Sequence, residues 1–257
     1  TCLLTSDLNR VLMTRNGSSA IGIALKLARA ITGKYKVVSF WDSFHGASLD
    51  AISVGGEAVF REYMGPMMPG VERIPPPVTY RGIFESNEAK CLEHLEYVFA
   101  KEGDIGAFIA ETVRNTDVQI PSIEFWKEAR ALCDRYGVIL ILDEIPIALG
   151  RTGKMFAFEH YECTPDILVI GKGMASGLPV GAFVASNKIM STLQENPKLG
   201  HITTFGGNPV IAAASLATLQ ELTTTCLISE TLAKEKLFRS LLKHPLIVEI
   251  RGRGLLL

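Results

Sequence analysis

Lys172 stands between two glycines, Gly171 and Gly173, directly after the apolar run 167–170. A strand end is an odd place for a solvated charge, and desolvation favours the neutral, nucleophilic amine. Asp143 closes a second apolar run, 138–142, and is followed by Glu144. A carboxylate at the end of a buried strand needs a partner, and a protonated cofactor ring nitrogen is one use for it. Asn16-Gly17-Ser18-Ser19-Ala20 opens a helical pattern. Glycine lets backbone approach a ligand, and the free N–H groups of a helix start favour an anion. Phe44-His45-Gly46 offers a flat aromatic face, and Thr203-Thr204-Phe205-Gly206-Gly207-Asn208-Pro209 brings hydroxyls ahead of another helix. Each has a plain structural alternative: a turn lysine reaching solvent, a loop-capping aspartate, an N-cap serine, a core phenylalanine, ordinary capping threonines. Arg114 is a further cation in a strand-end loop. No histidine or cysteine falls in metal-ligand spacing, so no metal is expected. The chain order is more specific than any one segment: anion loop, aromatic, carboxylate, glycine-flanked lysine, hydroxyl loop.

These segments need elements to position them. Apolar spacing predicts helices over 18–32, 87–101, 122–136 and 209–222, with Gly33 and Gly137 as stop signals. Short apolar runs at 36–40, 105–110, 138–142, 166–170 and 181–185 read as strands covered on both faces. The alternation implies an α/β fold: a mainly parallel mixed sheet with helices on both faces. Ligands of such sheets bind outside the carboxyl ends of the strands, where the unusual segments lie.

The chain has 257 residues, 26 basic against 27 acidic, and 47% hydrophobic content. It can bury a large core without staples, and the charge balance gives no case for a nucleic-acid partner. Cys2, Cys91, Cys133, Cys163 and Cys226 form no CxxC pair and read as reduced thiols of a cytoplasmic compartment. No apolar stretch reaches the roughly 20 residues of a membrane span. Thr1-Cys2-Leu3-Leu4 lacks a signal-peptide pattern. Leu255-Leu256-Leu257 reads as a strand cut short, so the chain is expected to be truncated.

The sequence resembles the class III aminotransferases that use pyridoxal 5'-phosphate (PLP), the ornithine, acetylornithine and 4-aminobutyrate type of fold type I. The likeness rests on Leu142-Asp143-Glu144-Ile145, Leu149-Gly150-Arg151-Thr152-Gly153, Pro165-Asp166-Ile167 and Gly171-Lys172-Gly173, with Asn16–Ala20, Phe44-His45-Gly46 and Thr204–Pro209 beside them. It implies a PLP-binding large domain over 1–222 and the start of a truncated small domain over 223–257. It implies that Lys172 holds PLP as a Schiff base and later shuttles the substrate proton, and that Asp143 pairs with the ring nitrogen. Gly17, Ser18 and the Ser19 amide would bind the phosphate, and Phe44 would stack on the ring. His45, Glu111 and Ile145 would complete the cofactor site. Thr204 would reach the phosphate of a neighbouring subunit, making a homodimer with shared sites. The implied reaction moves an amino group between an amino donor and a keto acid acceptor.

Several positions depart from the family, among them Ser19 where an acidic residue is usual and Met174-Ala175-Ser176 where the family has a glycine-rich run. Pro146 stands where a glutamine is usual, Arg114 replaces a glutamine, and Thr116 replaces a second glutamate. They keep the cofactor machinery and alter the substrate side. Elimination of ammonia or phosphate from an amino-phosphonate or amino-phosphate is therefore an alternative, with Arg114 pairing with the substrate anion. A catalytically inactive, truncated homologue is a further one.

Overall fold

Seven strands form one sheet in the order β1-β7-β6-β5-β4-β2-β3. They are β1 (Arg10–Thr14), β2 (Lys36–Phe40), β3 (Val71–Ile74), β4 (Ile105–Glu111), β5 (Ile139–Asp143), β6 (Ile167–Gly171) and β7 (Gly181–Ala185). The structure is a computed structural model and describes residues 7–78, 82–195, 198 and 200–257. β2 to β6 pair in parallel, whereas β7 runs antiparallel to both β1 and β6.

Successive residues of a strand point to opposite faces, and here both faces are apolar. Val38, Phe108, Leu140 and Leu168 pack on one side with Leu95, Phe99 and Trp126. Those partners belong to α3 (Glu88–Glu102) and α4 (Ile123–Tyr136). Val37, Ile109, Ile141 and Val169 pack on the other side with Ile21, Leu25 and Ala28 of α1 (Gly17–Thr32). The expected mixed sheet with helices on both faces is therefore what forms. α1 stops where Gly33 takes φ 66° and donates its N–H to the Arg29 carbonyl, a left-handed cap that glycine adopts without a Cβ penalty.

Strands 36–40 and 181–185 stand as expected, and the run 138–142 shifts by one residue so that Asp143 closes β5. β1 and β3 were not legible: they are short edge strands, mostly exposed or half-buried, in which the longest apolar run is the three residues 11–13 of β1. The short α2 (Leu49–Val54), α5 (Asn187–Glu195) and α7 (Thr231–Leu241) were missed as well. α6 (Pro209–Thr224) runs past residue 222, so the expected domain boundary falls in its last turn. The terminal leucines form no strand. Instead Leu255 donates its amide to the Arg151 carbonyl at 2.8 Å, and Arg253 bridges to Leu256 in a tight turn. Among the described residues no helix is long and apolar enough to cross a membrane. Thr1–Leu4, with Cys2, lies outside the described residues.

Ile141 is fully buried between the central strands and α1. Ile141→Ala should cost about 2–5 kcal/mol through lost burial and the cavity left behind. The measurement is the urea midpoint; an unchanged midpoint would remove β5 from the core.

Candidate active site

Parallel strands end on one edge of a sheet, and this geometry gathers the unusual residues. β4 ends at Glu111, β5 at Asp143, β6 at Gly171 just before Lys172, and β2 at Phe40 before the Phe44-His45-Gly46 turn. β1 delivers the start of α1 to the same edge. The antiparallel β7 starts there, so the segment before it joins the rim. The result is a cavity of about 510 Å³ walled by Gly17, Ser18, Phe44, His45, Glu111, Asp143, Ile145 and Lys172, among others. That volume lies in the range of small-molecule sites.

Two acids and a histidine lie at its base. Asp143 is 1% exposed; its Oδ2 is 2.8 Å from His45 Nδ1, and its Oδ1 accepts the Ile145 amide at 3.0 Å. Glu111 is also buried and accepts the amides of Phe44 at 3.1 Å and Asn115 at 2.8 Å. Burial pushes the Glu111 carboxyl up from its ordinary value, and the Asp143 charge adds to this, against His45 and the two amides. His45 Nε2 is buried and has no partner among the described residues. Glu144 points away from the cavity. It is fully buried and accepts from Thr112 Oγ1 at 3.0 Å and from the amides of Ala157 and Phe158, both at 2.7 Å.

The rim is shaped by side chains that fit only beside glycine. A Cβ on Gly46, at φ 131°, would lie 2.3 Å from Ser18 Oγ. Ser18 Oγ accepts the Ala47 amide at 3.2 Å. A Cβ on Gly17 would lie 2.7 Å from Ile145 Cδ1, so Ile145 reaches the wall because residue 17 has no side chain. Asn16 caps α1 by accepting the Ser19 amide at 2.8 Å. The Gly17 and Ser18 amides lie in the first turn, where the α-helical pattern offers no acceptor. Phe44 meets Phe60 with ring centroids 4.6 Å apart. Lys172 sits at φ 45°, a conformation a non-glycine residue adopts only when its surroundings fix it.

Three expectations need correction. Ser19 commits its amide to the Asn16 cap and lines a neighbouring groove instead, with Thr204. Arg114 does not line the cavity: it is 3% exposed and turned toward Asp42 and Asp117. Lys172 is exposed, because the tight turn Lys172–Ala175 faces it into a cavity open to solvent. The structure also adds residues that sequence reasoning missed as site residues, chiefly Phe60, Asn115 and Leu178. Phe60 follows no apolar period, so only its contact with Phe44 marks it. Thr116 and Pro146, read from sequence as substrate-side changes, do reach the wall.

Comparison with known proteins agrees with this arrangement. The profile described as "Aminotransferase class-III" matches residues 2–257. The chain belongs to the class-III aminotransferase family. It is 49% identical to the (R)-1-hydroxy-2-aminoethylphosphonate ammonia-lyase of Vibrio splendidus, over 97% of this chain and 57% of that protein. It is 35% identical to the acetylornithine aminotransferase of Methanopyrus kandleri, over 98% of this chain and 61% of the relative. Among solved structures, taurine:2-oxoglutarate aminotransferase from Bifidobacterium kashiwanohense, in complex with PLP and glutamate, superposes with a TM-score of 0.90. That match has 28% identity and covers 98% of this chain and 60% of the other. The fold is that of the fold-type-I PLP-dependent transaminases. This class-III chain thus spans about 60% of the length of these relatives.

Glu144 generates a pH test. Burial pushes its carboxyl up to about 7 from 4.5, against three hydrogen bonds that hold it down. A raised acid contributes stability in full below its unfolded value and loses it as pH rises through the folded one. Stability should therefore fall as pH rises from 4.5 to about 7, and Glu144→Gln should flatten that fall. Equal slopes of urea midpoint against pH in both proteins would refute the assignment.

Proposed function

We propose that this chain is the PLP-binding part of an aminotransferase that moves an amino group between an amine or amino acid and a keto acid. The observation that carries this reading is one cavity holding an amine, a buried carboxylate and an open helix start. An aldehyde-bearing, phosphorylated, cationic aromatic ring fits that donor set. Lys172 would hold the aldehyde, Asp143 the ring nitrogen, and Gly17 with Ser18 the phosphate. Phe44 and Ile145 would cover the ring, while His45 and Glu111 would support Asp143 and Phe44 from behind. Bound PLP supplies an electron sink for the bond broken at the substrate carbon. Lys172 Nζ would serve as the base that takes the proton from that carbon. His45 Nδ1 and the Ile145 amide each meet one Asp143 oxygen and so fix the direction of the carboxylate.

The rest of the reading follows from surfaces. Thr204 lies outside the cavity of its own chain, and exposed Ile202, Phe205, Val210 and Leu216 lie along the same segment and α6. We read this face as a homodimer contact, with Thr204 serving the partner's phosphate. The residues from 223 onward would begin the small domain. Free Cys91, Cys133, Cys163 and Cys226 suit a cytoplasmic enzyme.

A second reading, ammonia elimination from an amino-phosphonate, is favoured by the higher identity to the ammonia-lyase, 49% against 35% for the acetylornithine aminotransferase. Pro146 and Thr116 on the wall agree with a changed substrate side.

Adding PLP to the full chain should give an absorbance band at the violet edge of the visible range, absent in Lys172→Ala. No band in the parent protein would sink the cofactor reading. A panel of amines and amino-phosphonates then separates the reactions. Amino-group transfer to a keto acid supports the first, and release of free ammonia without an acceptor supports the second.

A further inference from the structure

The loop after β4 and the loop after β2 meet beside the cavity. Arg114 Nη2 donates to the Asp42 carbonyl at 3.4 Å, and Thr116 Oγ1 donates to the same oxygen at 3.1 Å. Arg114 Nε lies 3.2 Å from Asp117 Oδ1, and the Arg114 amide donates to the Gln119 carbonyl at 3.0 Å. The guanidinium is therefore hydrogen-bonded across to the other loop, while in its own loop the contact with Asp117 is an ion pair without hydrogen-bond geometry. Asp42, the shared acceptor, has φ 60°. A non-glycine residue keeps that conformation only when neighbours over-determine it. Two residues later Phe44 begins the cavity wall, its amide bound to Glu111, whose other oxygen holds the Asn115 amide. The two loops are thus tied on both sides of the aromatic turn.

We propose that Arg114 is a positioning residue, with Thr116 as second donor, that clamps the strained Asp42 turn and so sets where Phe44 and His45 stand in the cavity. It acts through those residues and does not touch the substrate. The idea rests on the cofactor reading above, since Phe44 and His45 matter there as the wall and base of the PLP site. A buried guanidinium suits the task because one arm donates to the Asp42 carbonyl while its Nε is paired by charge with Asp117.

The test uses the full chain with Arg114→Met, Arg114→Lys, Thr116→Val and Thr116→Ser. Hydrogen exchange at the amides of residues 42–46 should be roughly fivefold faster in Arg114→Met, as expected from losing one long hydrogen bond of ordinary strength, and unchanged in distant strands. PLP affinity should fall by a similar factor, and the induced circular dichroism of the bound cofactor should change. Arg114→Lys should recover part of both. Thr116→Val should show a smaller loss that Thr116→Ser restores, which decides the matter if Arg114→Met does not fold. Wild-type exchange and PLP affinity in Arg114→Met, with a raised KM for anionic amines only, would overturn the clamp and make Arg114 a substrate residue. If the parent protein binds no PLP, the cofactor reading fails by itself, and exchange at 42–46 still decides the clamp.

Discussion

A carboxylate at the end of a fully covered strand is the constraint around which this structure is arranged. Asp143 lies at the centre of the sheet, where an unpaired charge would cost several kcal/mol. It is tolerated because His45 arrives from the loop after β2 and the Ile145 amide turns back onto the other oxygen. His45 can arrive only because β2 and β5 run parallel and end on the same edge. Glu111 then ties the same loop to β4 through the Phe44 amide. Three strand ends are held together by polar contacts around one acid.

The neighbouring carboxylate shows how differently one chain uses adjacent acids. Asp143 faces the cavity, while Glu144 points into the opposite layer, as residues next to each other at a strand end must. Two of its three hydrogen bonds fix the Ala157–His160 turn, and with it the loop that returns to β6, while the third holds Thr112 just after β4. One acid belongs to the site, and the other supports the wall behind it.

Left-handed backbone turns also occur at this edge. Asp42, Gly46 and Lys172 all have positive φ, and all lie on loops that rim the cavity. Such conformations persist where packing over-determines them. Gly17 and Gly46 serve a related purpose by leaving room for Ile145 and Ser18 to close in. The rim is built from tight turns whose side chains have few alternatives.

Much of this was legible in the residues. The central strands, α1, α3, α4 and α6 announce themselves by apolar periodicity, and Gly33 and Gly137 mark their ends. β1 and β3 do not, because an edge strand need bury little. Of the site, Lys172, Asp143, Gly17, Ser18 and Phe44 could be picked out by their joint order along the chain, since each alone has a plain structural alternative. Phe60 could not, since it is distant in sequence from everything it completes. Arg114 was read as facing the substrate because a cation in a strand-end loop carries no sign of its direction. The sequence by itself determined the layers, the strand-end loops and the chemical types that collect there. Only the tertiary structure decided which of those types face one another, because direction depends on packing: Asp143 toward His45, Ser19 into its cap, Arg114 onto the Asp42 carbonyl.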